Sequence, residues 1–319
     1  MTDEGQPPKW VAWTAPWVRR LPRGRYRAMN WLCRRPPAPF SLRWPRELGG
    51  FVTSCDLRDS IAREVCFTGR YEPAETALLN SILKPGMIFV DVGANWGYFT
   101  LLAAGKVGPS GRVLSLEPDP RLFRLLEANA KRNRLDQIQA VAVAASDREG
   151  EITLLGFDES GGNFGLSRVT TAEESVSASA NSAALTFQVP TRTLDRLLTD
   201  HCVETVDLMK MDIEGAEGLA LRGLASGLAA RRIQRLLLEI HPRQLQELGT
   251  PVEDALAILP EAGYQAWSIR HDSEARRTAA YSRRLDPHRL LRKLDDGRVQ
   301  ASMLDDWPHW LWTAPGVSI

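Results

Sequence analysis

Cysteine is scarce in this 319-residue sequence: Cys33, Cys55, Cys66 and Cys202 are the four present, and no two form a CxxC pair. That excludes a disulfide framework and a four-cysteine zinc site, and a reducing cytoplasm is the expected setting. Long hydrophobic runs are missing too. No stretch approaches the roughly 18 to 20 apolar residues that span a bilayer. Residues 1–30 are broken by Lys, Arg and Pro where a secretory signal carries an apolar stretch, so a soluble cytoplasmic protein is expected. Nor does one sign of charge dominate. The 40 Lys plus Arg against 39 Asp plus Glu leave +1, which excludes a uniformly basic nucleic-acid binder or an acidic tail. What is present is 44% hydrophobic and 25% charged residues, the balance of a soluble protein with a substantial core. One large α/β domain with additions is expected.

The charge is unevenly placed. Residues 1–50 hold Lys9 and nine arginines against Asp3, Glu4 and Glu47, with Trp10, Trp13, Trp17, Trp31 and Trp44 interleaved. This basic, Trp-rich arm carries +7 and leaves −6 for residues 51–319. Two readings are open: the arm contacts an anionic membrane surface or nucleic acid, or its tryptophans pack onto the domain while the arginines stay solvated. The acidic remainder carries no RNA-recognition motif, which argues against a nucleic-acid partner and leaves peripheral membrane contact as the arm's alternative role.

From Met87 onward, short apolar runs alternate with helical patterns, as in a parallel sheet with crossover helices. Strands are expected at 87–92, 112–116, 139–144, 207–211 and 235–240, and helices at 99–107, 120–133 and within 224–230. An insertion at about 151–192 pairs strands 151–157 and 185–190. It joins them by a glycine-rich segment (Gly161, Gly162, Gly165) and the Ser/Ala tract 172–184, expected to be a mobile tip.

The most informative segment runs Phe89-Val90-Asp91-Val92-Gly93-Ala94-Asn95-Trp96-Gly97-Tyr98, an apolar strand entering a glycine-rich turn and a helix. Gly93 and Gly97 remove Cβ atoms where backbone approaches a ligand, and free N–H groups at the helix start favour a carboxylate or phosphate. Dinucleotide folds use Gly-x-Gly-x-x-Gly; here the spacing is Asp-x-Gly-x-x-x-Gly, and an acid before the turn suits a cationic ligand. Glu117 ends the next strand, where a carboxylate can hold a ribose diol. Together these describe a nucleoside that is positively charged near its amino-acid end.

This pattern resembles the class I S-adenosylmethionine-dependent methyltransferases. The blocks FVDVGANWGYFTLLAA, RVLSLEPDP, AVAASDREGEITL, TLDRLL, VDLMKMDIEGAE and LLLEIHP, over about residues 71–264, resemble the FkbM family in order and spacing. The resemblance implies a Rossmann-like α/β fold with a seven-stranded sheet whose last strand is antiparallel. It also implies S-adenosylmethionine as cofactor and O-methylation of a small molecule or sugar, in natural-product or glycan biosynthesis. A lipid-linked or glycan acceptor at a membrane surface is the alternative, and a nucleic-acid-binding methyltransferase a more remote one. By the resemblance, Asp91, Gly93, Asn95 and Gly97 fall on the methionine-binding turn and Glu117 on the ribose acid. Ser146 and Asp147 follow the third strand, at the adenine position, where Asp147 is either an adenine contact or a turn acid. Tyr71 and Glu72 match a family position only weakly.

In an open parallel sheet the chemistry lies beyond the carboxyl ends of the strands, which here carry Asp212, Glu214, Glu217, Glu239 and His241. Methyl transfer from a sulfonium mainly needs an aligned acceptor oxygen and removal of its proton. His241, oriented by Asp212 or Glu239, is the expected base, with Asp212, Glu214 and Glu239 as its companions. Glu214 and Glu217 are alternatively acids capping a helix start. Asp212, Glu239 and His241 could hold Mg²⁺, but the resemblance requires no metal and none is assigned. His309, in the segment 307–312 expected to be the last strand, either packs that strand or lines an acceptor pocket. The other histidines lack ligand spacing to one another.

Overall fold

Strands buried on both faces read as continuous apolar runs, and this chain has several: all four residues of 208–211 and all five of 309–313 are buried. The computed structural model describes residues 5–156, 168–169, 185–282, 285–294 and 308–319. In chain order its strands are β1 (Phe40–Arg43), β2 (Val52–Cys55), β3 (Ile88–Val92), β4 (Arg112–Leu116), β5 (Ile138–Val141), β6 (Ala144–Ala145), β7 (Gly150–Gly156), β8 (Arg168–Val169), β9 (Leu185–Arg192), β10 (Leu208–Met211), β11 (Arg235–Glu239), β12 (Gln265–Ile269), β13 (Leu291–Lys293) and β14 (His309–Thr313). Its helices are α1 (Lys9–Arg20), α2 (Arg25–Leu32), α3 (Ser60–Thr68), α4 (Pro73–Ile82), α5 (Tyr98–Val107), α6 (Pro120–Arg132), α7 (Leu194–Asp200), α8 (Glu217–Arg222), α9 (Ala225–Ala229), α10 (Pro242–Glu247), α11 (Val252–Glu261) and α12 (Ser273–Tyr281).

Among the described residues the main sheet has eight strands in the order β13-β12-β14-β11-β10-β3-β4-β5. β14 runs antiparallel between β11 and β12, while β3, β4, β5, β10 and β11 are parallel. This is the expected seven-stranded arrangement with one addition, β13, an edge strand antiparallel to β12. Three residues with Arg292 and Lys293 among them show no apolar alternation, and charged side chains are typical of edges, so β13 carries no sequence signal. The third strand ends earlier than expected: β5 stops at Val141, and Ala144–Ala145 leaves to pair with β9. Among the described residues the insertion is accordingly more than a hairpin: with β6 it forms a four-stranded sheet in the order β6-β9-β7-β8. The glycine segment and the Ser/Ala tract expected at its tip lie outside the described residues.

Side chains alternate between the two faces of the main sheet. Phe89, Val113, Leu208, Leu237 and Leu311 join one core cluster, and Val90, Leu114, Met209, Leu236, Leu238 and Trp310 join the other. By this parity Asp91, Ser115, Lys210, Glu239 and His309 all project from the first face. The register aligns them: Asp91 lies opposite both Ser115 and Lys210, and Glu239 opposite His309. A polar row thus runs along the carboxyl ends of the central strands, on the face shared with α4, α5 and the arm.

The arm is folded onto the domain. Val11, Ala15, Val18 and Met29 share a core with Val65 and Phe67 of α3. Trp44 is buried, donates Nε1–H to Thr53 Oγ1 at 2.9 Å and meets Phe51 and Trp96 edge-on. Trp13, Trp17 and Trp31 are instead 83%, 61% and 64% exposed. No helix among the described residues is long and apolar enough to cross a membrane.

Candidate active site

The turn after β3 is built from left-handed residues, Gly93, Asn95 and Gly97, with φ of 83°, 54° and 100°. Gly93 has a second reason to lack a side chain: a Cβ there would run into the carbonyl oxygen of Asp212, at the end of the neighbouring β10. Gly97 serves packing of another kind, because its Cβ would meet Leu126 Cδ1 of α6 at 2.6 Å. It backs the turn and is not in the cavity wall. The N–H of Asn95 points inward and donates to Glu117 Oε2 at 2.7 Å, while Asp119 N–H donates to Glu117 Oε1 at 2.8 Å. Glu117 is buried at the end of β4, and burial outweighs these two bonds to push its carboxyl up to about 8. Asp91 is buried as well. It accepts from Thr100 Oγ1 at 2.6 Å, and burial, opposed by Lys210, pushes it up to about 6.

Asp91, Gly93, Asn95 and Glu117 line one cavity together with Pro118, Leu122, Val143, Ala144 and Ala145. Ser146 and Asp147 do not. The backbone turns away after Ala145 as Ser146 N–H bonds to Arg192 O at 3.0 Å, and Asp147 faces Arg222 at 3.4 Å. Ser146 and Asp147, expected at the adenine position, thus lie outside the cavity lining, to which the apolar residues just before them belong. The signal was the small apolar Val-Ala-Ala ahead of the polar pair.

The opposite wall of the cavity holds Tyr71, Lys210, Asp212 and Glu214. Lys210 was not singled out from sequence, although a lysine inside an otherwise apolar strand was its signal. It is 3% exposed, lies 4.7 Å from the Phe99 ring centre and bonds Asp212 Oδ2 at 2.8 Å. Burial disfavours its charge, yet Asp212, Glu72 and Glu239 outweigh burial and hold the ammonium charged. Burial acts against Asp212 likewise, and Lys210 and His241 outweigh it to hold that carboxyl at about 2.

His241 sits behind this wall, 1% exposed. Its Nδ1 is 2.7 Å from Glu217 Oε1, and its Nε2 faces Glu214 at 3.5 Å, Glu239 at 3.7 Å and Asp212 at 3.9 Å. The orienting acid is thus Glu217, and neither Asp212 nor Glu239 holds that role. Glu217 also accepts from Gly215 N–H at 3.0 Å, so it steadies the start of α8 at the same time. Burial opposes charge on the imidazole, but Glu217, Asp212 and Glu214 outweigh it and raise His241 to about 9. The charged form is thus favoured at neutral pH, which does not suit the expected role of His241 as the base. Glu214 shows the opposite balance: burial, against the His241 cation and with Asp212 and Glu239, pushes it up to about 8. Its φ of 52° is an uncommon left-handed value for a side chain of this kind.

Glu239 continues the cluster. His309 Nε2 lies 3.4 Å from Glu239, its Nδ1 3.1 Å from Glu75, and Glu75 meets His271 Nε2 at 2.9 Å. His309 both packs in β14 and joins the site, and His271, set aside from sequence, belongs to the same chain of contacts. Glu72, with φ of 39°, is pushed up to about 8 by burial against the pull of Lys210. Among the described residues three sets of ligand atoms come within 4.8 Å of one another: Asp212, Glu239 and His241; Glu72, Glu239 and His309; Glu75, His271 and His309. These could hold a divalent cation, but Lys210 and the imidazoles of His241 and His309, whose charged forms the surrounding carboxylates favour, already supply positive charge there.

Residues 91–266 match the family model described as the methyltransferase FkbM domain. The chain is 28% identical over 225 residues to 31-O-demethyl-FK506 methyltransferase FkbM of Streptomyces tacrolimicus, covering 62% of this chain and 83% of that protein. It is 27% identical over 191 residues to 2-O-methyltransferase NoeI of Sinorhizobium fredii, covering 57% and 75%. To the AMB antimetabolite synthetase AmbE of Pseudomonas aeruginosa it is 26% identical over 232 residues, covering 63% of this chain and spanning only 10% of AmbE.

Proposed function

Because this chain belongs to the FkbM methyltransferase family, we propose that it transfers the methyl group of S-adenosylmethionine to a hydroxyl of a small molecule or sugar in a biosynthetic pathway. S-adenosylmethionine supplies the electrophilic methyl. The residues present suit it. Glu117 accepts one backbone N–H on each oxygen, leaving lone pairs for a ribose diol. Leu122, Val143, Ala144 and Ala145 offer an apolar wall for adenine, and Asp91 and Asp212 favour a cation.

The observation that carries the O-methylation reading is the placement of Glu214. It lines the same cavity as Asp91 and Glu117, and burial makes it more basic than an ordinary carboxylate, at about 8, so that its ionised form can take a hydroxyl proton. Asp212, held at about 2 by Lys210, is too weak a base. Glu214 is therefore the proton acceptor. His241 is a positioning residue behind it, fixed by Glu217, whose cation sets the charge that Glu214 carries. The 2-O and 31-O activities in the names of NoeI and the Streptomyces protein agree with a hydroxyl acceptor.

The test is transfer of a labelled methyl group from S-adenosylmethionine to a panel of hydroxylated small molecules and sugars, beside matched amines. Transfer to hydroxyls, lost in Glu214→Gln, is expected. Methylation of amines alone would overturn the acceptor class, and absence of cofactor binding by calorimetry would overturn the cofactor.

A further inference from the structure

A second cavity, of about 1060 Å³, lies between the arm and the domain and shares no lining residue with the first. Its walls come from the end of α1, the turn into α2, α4 and the end of α12. Among the described residues Arg19, Arg20, Arg25 and Arg70 line it, against a single carboxylate, Glu47. Among the described residues none of the four arginines forms an ion pair. Arg25 is the telling one: 8% exposed, it donates to the carbonyls of Ala280 at 3.0 Å and Leu21 at 3.3 Å. Its guanidinium lies over the Tyr281 ring, and its buried Nε has no partner. Arg19 likewise spends its Nε on Cys66 O at 2.9 Å.

A buried guanidinium met by carbonyl dipoles and a ring face, with no carboxylate bonded to it, keeps a charge that proteins ordinarily pair with an anion. The planar fork of arginine matches phosphate oxygens, and several forks around one cavity match a phosphate better than a single carboxylate. Asn80 Oδ1 lines the same space, buried and without a partner, and would accept from a hydroxyl beside the phosphate.

We propose that this cavity binds the phosphate group of a hydroxyl-bearing phosphoester, clasped by Arg20, Arg25 and Arg70. The phosphate can come from a soluble metabolite or from an anionic lipid headgroup. Trp13, Pro16, Trp17 and Arg20 fall at i, i+3, i+4 and i+7 of α1 and share one helix face. Pro16 and Arg20 line the cavity, so the exposed indoles of Trp13 and Trp17 extend its rim towards solvent.

The experiment uses the full chain, with thermal unfolding and calorimetry in inorganic phosphate and in glycerol phosphate, each against chloride at equal ionic strength. Alongside, co-sedimentation is measured with vesicles of phosphatidylcholine alone or mixed with phosphatidylglycerol. Phosphate should stabilise the wild type. Arg20→Glu and Arg70→Glu should weaken binding about 10 to 100-fold, the loss expected for charge-assisted hydrogen bonds. Arg27→Glu, which makes the same charge change on α2 outside the cavity, should bind as wild type. Binding of soluble phosphates without vesicles identifies a metabolite site. Vesicle binding that falls in Arg20→Glu and in Trp13→Ala identifies a headgroup site. No phosphate or vesicle binding, or equal losses in Arg27→Glu and Arg20→Glu, overturns the proposal. Cofactor affinity of Arg20→Glu, measured in parallel, keeps this outcome separate from that of the methyltransferase reading.

Discussion

His241 Nδ1 lies 2.7 Å from Glu217 Oε1, with both side chains sealed from solvent. The pair ties the residue preceding α10 to the first residue of α8. It also fixes the ring so that Nε2 faces Glu214, Glu239 and Asp212. One buried bond therefore bears on the charge of the cavity wall that Asp212 and Glu214 form.

The first prediction concerns the pH dependence of turnover. Glu214 must lose its proton to act, so kcat should rise as pH passes through about 8. Glu214→Gln should remove that limb and lower turnover about 10² to 10⁴-fold. The His241 cation lowers the Glu214 value, so His241→Gln should shift the limb to higher pH with a smaller loss. An unshifted limb in His241→Gln would end the positioning role.

Cofactor affinity should separate Glu117 from the residues after the third strand. Glu117→Ala should weaken binding by roughly 1 to 3 kcal/mol, from the loss of its hydrogen bonds to the ribose and the backbone N–H groups left unpaired behind it. Ser146→Ala and Asp147→Ala should leave calorimetric affinity unchanged, because neither lines the cavity.

The two turn glycines should fail for different reasons. Gly93→Ala combines a φ of 83° with a collision against the Asp212 carbonyl, which is backbone and cannot step aside. It should cost about 2 kcal/mol or more in a denaturant titration. Gly97→Val meets the movable end of Leu126. Its loss should appear mainly as stability, and Leu126→Ala in the same chain should recover part of it.

Stability should fall as the solution becomes alkaline. Glu72, Glu117 and Glu214, near 8, and His241, near 9, all hold protons in the folded state that the unfolded chain releases at about 4.5 and 6.5. The folded state thus binds more protons between those values, and the free energy of unfolding drops as pH rises through them. Asp212, held at about 2, acts in the other sense only below about 4. Chemical denaturation at pH 6 and pH 9 should show the fall, and Glu214→Gln should reduce it. A flat profile from 6 to 9 would contradict the protonation of this cluster.

The sequence alone determined the parallel sheet, the glycine-rich turn and the placement of Asp91, Gly93, Asn95 and Glu117 around one cavity. These depend on local chemistry: continuous apolar runs, left-handed turn residues, and strand ends that converge in any sheet of this class. Only the tertiary structure decided the rest of the site. Glu75 and His309 are 3.1 Å apart, yet more than half the chain separates them. Their meeting requires β14 to insert between β11 and β12, which sets His309 opposite Glu239. Glu217 reads from sequence as a helix-capping acid, and its contact with His241 exists because two helix starts face each other across the end of β10. Arg25, one of nine similar arginines in the arm, is distinguished only by its burial against Ala280 and Tyr281. Such long-range placements depend on strand register and packing, which leave no periodic trace in the chain.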